Sequence, residues 1–132
     1  MNETQPRARV LVVDDEADLV RILQFGLESL GYHVETASDG QEGLKKAREM
    51  KPDIILLDLM LPKLDGYKVC RLLKFDERYK NIPIIILSAR TQEGDQALAM
   101  EMGANRFITK PYEFSEILAQ MEMLLKSVSA RS

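Results

Sequence analysis

Three runs of four apolar residues constrain this chain most: VLVV at 10–13, IILL at 54–57 and IIIL at 84–87. None alternates with polar residues. A strand with one wet face reads apolar–polar, so strands apolar at every position need cover on both faces. Parallel sheets supply that cover, because their strands are joined by crossovers, usually helical, that pack on the faces. The intervening segments carry the required helical spacing. Leu19, Leu23, Leu27 and Leu30 mark a first helix stopped by Gly31, and Asp39 and Gly40 open a second with Leu44 and Ala47 inward, ending before Pro52. Val69, Leu72 and Leu73 mark a third, and Ala97, Leu98 and Met102 a fourth with Gly103 past its end. Ile117, Leu118, Met121, Leu124 and Leu125 mark a fifth. YHVETA (32–37) alternates and reads as an edge strand, and RFIT (106–109) as a short last strand. The order βαβαβαβαβα predicts an α/β fold, an open parallel sheet with helices on both faces.

Composition removes whole classes of function. The 132 residues suit one domain. With 18 basic and 21 acidic residues the net charge is −3, which gives no bulk field favouring nucleic acid. No apolar run approaches a membrane span, and MNETQPRARV lacks the apolar centre of a signal peptide. Cys70 is the only cysteine, so no internal disulfide can form and a reducing cytoplasm fits. The expected organisation is a tail at 1–8, one cytoplasmic domain at 9–126 and a tail at 127–132 that leaves no room for an output domain.

The strands end in unusual company. VLVV runs straight into Asp14, Asp15 and Glu16, and IILL into Asp58; Ser88 follows IIIL and Lys110 follows RFIT. Ligand sites in open parallel sheets lie beyond the carboxyl ends of the strands, where the strand order switches. The carboxylates are therefore expected at one rim, exposed rather than buried, with a cation among them. Helix capping could account for Asp15 or Glu16 alone. It does not account for Asp14, Asp58, Ser88 and Lys110 at equivalent strand ends.

The segments VVDDE, LLDLMLPKLDG, ILSA and TKP, in that order and spacing on a βα frame, resemble the response-regulator receiver domain of bacterial two-component signalling over 9–126. The resemblance implies a (βα)5 doubly wound, flavodoxin-like sheet of order 2-1-3-4-5. It implies a signalling phosphoacceptor rather than an enzyme in the usual sense, taking a phosphoryl group from a sensor histidine kinase or phosphotransfer protein onto Asp58. Mg²⁺ would be held by Asp14, Asp15, Asp58 and the Met60 carbonyl; magnesium prefers hard oxygens and keeps waters and phosphate oxygens in its remaining positions. Lys110 and Ser88 would contact the phosphoryl group, and the Lys110–Pro111 bond could be cis. Ser88 and Phe107 would form the switch, remodelling the surface of the fourth helix, fifth strand and fifth helix for a downstream output domain or protein. Met60 and Arg90 would flank the path of the hydrolytic water and set the phosphoryl lifetime.

Departures from the family matter too. Its winged-helix transcription-factor subclass places two acidic residues before the last strand and an arginine in the last helix, which make dimer salt bridges. Here Asn105 and Arg106 stand at the first two places, and Gln120 lies near the place of the arginine. Elsewhere the plainer reading holds: His33 on an edge strand's solvent side, Cys70 as helical packing, most Met residues at core spacing, and KKAREMK (45–51) as a solvated face rather than a nucleic-acid patch. Among rival functions, a flavin carrier would want hydroxyls and amides where this chain has DDEAD. A metal-dependent phosphatase or nuclease would want further acids where Asp58 is followed by Leu59, Met60 and Leu61. A phosphorylation-independent interaction module on the same fold is the remaining alternative.

Overall fold

The computed structural model describes residues 7–89 and 94–131. Five strands alternate with five helices: β1 (Arg9–Val13), α1 (Ala17–Ser29), β2 (His33–Ala37), α2 (Gly40–Met50), β3 (Ile54–Asp58), α3 (Gly66–Lys74), β4 (Ile84–Ser88), α4 (Asp95–Glu101), β5 (Arg106–Thr109) and α5 (Phe114–Arg131). All four strand pairings are parallel, and the sheet order is β2-β1-β3-β4-β5. The doubly wound sheet expected from the resemblance is present, with β1 and β3 as neighbours at the switch point.

The apolar quartets serve two cores at once. Leu11, Val13, Ile55, Leu57, Ile84 and Ile86 pack with residues of α2, α3 and α4, whereas Val10, Val12, Ile54, Leu56, Ile85 and Leu87 pack with α1 and α5. Successive side chains leave a strand on opposite faces, so a run buried on both faces has no polar position.

Two helix faces differ from the sequence reading. Leu72 and Leu98 are exposed; the inward residues of those helices are Val69, Cys70, Leu73 and Ala99. Helical spacing shows that a stripe exists, yet in helices as short as α3 and α4 one extra apolar residue shifts its apparent centre. Met60, Met100 and Met123 are exposed as well, so core spacing suits Met50 and Met121 but not the methionines as a class. Cys70 is buried and His33 exposed, as expected.

Polar clamps close the starts of two strand pairs. The Arg9 N–H donates to the Asp53 carboxylate at 2.8 Å while the Asp53 N–H donates to the Arg9 carbonyl at 2.8 Å. The Ile84 N–H donates to the Asn105 side-chain oxygen at 2.9 Å, and the Asn105 N–H returns to the Ile84 carbonyl at 2.8 Å. Arg106 Nε donates to Gln120 Oε1 at 3.1 Å, so the three positions at which the chain departs from the transcription-factor pattern make bonds within the chain. Among the described residues no helix is long and apolar enough to cross a membrane.

Candidate functional site

The acidic rim lies where β1 and β3 end. Asp14 follows the last residue of β1, its N–H donating to the Ala37 carbonyl at 3.0 Å, and its Oδ1 accepts the Glu16 N–H at 3.0 Å. That short side-chain turn aims Glu16 back over the strand ends. Asp58 closes β3, and its Oδ1 accepts the Met60 N–H at 3.2 Å. From β5, Lys110 reaches across 52 residues of sequence to Asp58 and 96 to Asp14. Its Nζ lies 2.8 Å from Asp14 Oδ2, 2.7 Å from Glu16 Oε1 and 3.4 Å from Asp58 Oδ2.

The expectation of exposed carboxylates fails for two of them. Asp14 is 2% exposed and Asp58 4%, while Asp15 stays in solvent. Burial is tolerated because the Lys110 ammonium is buried with them, its side chain 8% exposed, and an ion pair offsets part of the desolvation each charge suffers. The offset is incomplete. Burial, reinforced by the field of Asp14, pushes the Asp58 carboxyl up to about 6, against the opposing Met60 N–H and Lys110. Burial also works against the charge on Lys110, but its hydrogen bonds to Asp14 and Glu16 and the fields of Asp14 and Asp58 outweigh it, holding the ammonium firmly protonated.

Oxygens of Asp14, Glu16 and Asp58 all lie within 4.8 Å of one another, a set of hard donors able to hold a divalent cation. Asp15 is not in that trio; it lines a cleft of about 430 Å³ with Leu59, Met60, Leu61, Pro62, Asp65 and Tyr67, at whose mouth Met60 is 56% exposed. Glu16 enters the site although its sequence context reads equally well as a helix start. It occupies the α1 N-cap position but makes no side-chain capping bond. Its partner lies 94 residues away, and no local pattern predicts that contact.

The other expected residues are placed as follows. Ser88 ends β4, fully buried, one step beyond the level of Asp58, and its carbonyl accepts the Lys110 N–H at 2.8 Å. The Lys110–Pro111 bond is cis. Phe107 is half-buried against the core on the α2–α4 side. Arg90 lies outside the described residues.

The loop 59–65 is seated on two glycines. A Cβ on Gly66 would stand 2.2 Å from the Asp58 carbonyl oxygen and 2.7 Å from Leu59 Cα. A Cβ on Gly40 would stand 1.6 Å from the Leu64 carbonyl oxygen. The backbone beside Asp58 thus packs where only hydrogen fits.

Comparison with known proteins agrees with this geometry. The family model of the response regulator receiver domain matches residues 10–122. The alkaline phosphatase synthesis transcriptional regulatory protein PhoP of Bacillus subtilis is 48% identical over 118 residues, which are 89% of this chain and 48% of that protein. The DNA-binding dual master transcriptional regulator RpaA of Synechocystis is 41% identical over 89% of this chain and 49% of its own length. The chain spans about half the length of the curated relatives it matches. Among solved structures, a response regulator from Chloroflexus aurantiacus superposes with a TM-score of 0.86 at 30% identity, covering 92% of this chain and 99% of that one. A CheY-like receiver domain protein from Methanospirillum hungatei, at 22% identity, shares the fold with a TM-score of 0.89 over 98% of this chain and 100% of its own. A doubly wound sheet of this order, two buried aspartates and a lysine meeting at its switch point, and a family match across most of the chain lead to one conclusion: the chain belongs to the response regulator receiver domain family.

Proposed function

We propose that the domain receives a phosphoryl group on Asp58 from a histidine kinase or phosphotransfer protein in the cytoplasm, and passes the signal to an output domain or protein partner. The observation that carries this reading is the buried Asp58 carboxylate with Lys110 Nζ 3.4 Å away and further carboxylates beside it. Phosphoryl transfer needs an in-line nucleophile and neutralisation of the phosphoryl oxygens, and little other covalent chemistry. A carboxylate serves as the nucleophile: an Asp58 oxygen attacks phosphorus as the bond to the donor's leaving group breaks. Lys110 supplies a mobile point charge, and Ser88 a hydroxyl for a phosphoryl oxygen. The resemblance assigns Mg²⁺ to Asp14, Asp15, Asp58 and the Met60 carbonyl, hard oxygens of which Asp14 and Asp58 stand together with Glu16 at the rim, and when bound it would neutralise charge on the transferred group. Movement of Ser88 would favour an inward Phe107, biasing a two-state surface of α4, β5 and α5.

Incubation with acetyl phosphate and Mg²⁺ is expected to add one base-labile phosphoryl group, absent from Asp58→Asn and localised by mass spectrometry. Equal labelling of the variant at the same position sinks the assignment. No labelling of wild type by any donor, with partner binding retained, leaves the phosphorylation-independent module as the better reading.

The metal has its own test. Mg²⁺ well above its dissociation constant should stabilise the protein by about 1–3 kcal/mol, because it binds the folded state alone. The measurement is melting temperature in chelator and in millimolar Mg²⁺. An unchanged melting temperature, with Asp15→Ala indistinguishable from wild type, rules out the shared site.

Phosphoryl lifetime rests on Met60 and Arg90. An apolar side chain at the mouth of the cleft cannot orient an attacking water, and orientation accounts for much of a hydrolysis barrier. Met60→Asn combined with Arg90→Glu is expected to hasten loss of label about 10-fold, or about 1.4 kcal/mol of barrier. An unchanged decay would show that neither side chain governs the water.

A further inference from the structure

We infer that Glu16 is a positioning residue that holds Lys110 in the resting domain and competes with the incoming phosphoryl group for its ammonium. The inference rests on the phosphoacceptor reading above and extends it to a residue outside the expected set.

Lys110 Nζ is closer to Glu16 Oε1, at 2.7 Å, than to Asp58 Oδ2, at 3.4 Å. An ammonium has three N–H donors. Here two make short bonds, to Asp14 and Glu16, and the third faces Asp58 at 3.4 Å, near the long limit of a hydrogen bond. The lysine on which the acceptor depends is therefore drawn away from it. Glu16 is held in that pose through its backbone, whose N–H donates to Asp14 Oδ1, and it makes no capping bond that would hold it to α1 instead.

Chemistry at Asp58 changes the contest. A cation among the aspartates weakens the pull of Asp14 and Asp58 on Lys110. Glu16, its side chain 58% exposed, is the carboxylate that can remain on the lysine by swinging with it or let go into water. When a phosphoryl oxygen appears on Asp58, the Lys110 Nζ must shift toward it from its place between Asp14 and Glu16, and the Glu16 bond is the one whose stretching or loss leaves no buried charge unpaired. Asp14, buried, cannot be released as cheaply. Glu16 thereby lowers the domain's affinity for its phosphorylated state without touching the reacting atoms.

The test uses beryllofluoride with saturating Mg²⁺ as the phosphoryl mimic, titrated by calorimetry into wild type, Glu16→Gln and Asp18→Asn. Asp18, at the start of α1 and paired only with Arg21 among the described residues, controls for the loss of one nearby negative charge. Glu16→Gln should bind about 3- to 5-fold more tightly, the range that an exposed ion pair supports. The gain should persist at high salt, since a direct contact is screened less than a distant field. Initial labelling by acetyl phosphate at saturating Mg²⁺ should rise by a similar factor. The inference is overturned if Glu16→Gln binds as wild type or more weakly. It is likewise overturned if Asp18→Asn reproduces the gain and salt abolishes both, or if Mg²⁺ affinity collapses, which would make Glu16 a metal ligand. Should wild type take up neither beryllofluoride nor phosphate, the phosphoacceptor reading itself fails, a result distinct from any of these.

Discussion

In metal-free buffer at pH 7, Asp58→Asn is expected to be more stable than wild type by on the order of 2–3 kcal/mol. The gain comes from removing a buried negative charge that the folded state tolerates poorly. The Asp58 carboxyl is pushed up to about 6 from the ordinary 3.8 by burial and by Asp14. A tenfold change in proton affinity is worth about 1.4 kcal/mol. Because the folded pKa is the higher one, the native state binds more protons than the unfolded state between about pH 4 and 6, so this group's contribution to stability falls as pH rises through that window. The advantage of the variant should therefore be full at pH 7 and should shrink toward pH 4. Asn keeps an oxygen for the Met60 N–H, and Lys110 keeps its two short bonds. Below about pH 4 both proteins should lose stability, as Asp39 gives up the charge held by the Glu42 N–H and Asp76 the charge held by Arg78. Denaturant unfolding in chelator at pH 7 and pH 5 measures the gap. A variant less stable than wild type, or a gap unaffected by pH, would refute the charge strain at Asp58. Added Mg²⁺ should close the gap from the other side by stabilising wild type.

Gly66→Ala should be strongly damaging although it adds a single methyl beside the acceptor, costing about 3 kcal/mol or more. A glycine-to-alanine change at a helix start ordinarily stabilises by several tenths to about 1 kcal/mol, because alanine gives the unfolded chain less freedom. Here the new methyl meets the Asp58 carbonyl at 2.2 Å and the Leu59 backbone at 2.7 Å, and backbone cannot rotate away. Relief requires moving α3 or the end of β3, and overpacking of that kind costs about 1–3 kcal/mol, occasionally more. Displacing Asp58 would also stretch its bonds to Met60 and Lys110, so labelling by acetyl phosphate should slow even at temperatures where the variant is folded. Gly26→Ala is the informative contrast, since its methyl meets the ring of Phe114 at 2.7 Å, a side chain that can turn. If Gly66→Ala matches wild type in both stability and labelling, the tight seating of the loop is wrong.

The sheet was legible because its three central strands carry quartets that are apolar at every position, and a parallel sheet covered by helices hides such runs on both faces. The rim residues Asp14, Asp58 and Lys110 were legible as an ordered set of motifs. Their burial was not, because exposure depends on how deeply a lysine 52 and 96 residues distant is drawn in. Glu16 was obscured by ambiguity, since an acid before a helix is ordinary and only the folded chain shows it turned to Lys110 rather than to the helix. Leu72 and Leu98 misled for the opposite reason, as apolar residues at helical spacing that face solvent.

The same apolar quartets that reveal the sheet leave its alignment underdetermined. A one-residue slip normally turns a strand's oily face to water, and that penalty fixes the pairing. For VLVV, IILL and IIIL a slip would exchange one apolar side chain for another on both faces, at little cost in burial. Correct alignment must then be chosen by the polar residues at the strand ends: the Arg9–Asp53 and Ile84–Asn105 clamps at one edge, and Asp58 beneath Lys110 at the other. Asp53 and Asn105, far from the chemistry, act as the vernier of the sheet, deciding by single-residue steps whether the acceptor arrives at the rim or is left inside the strand.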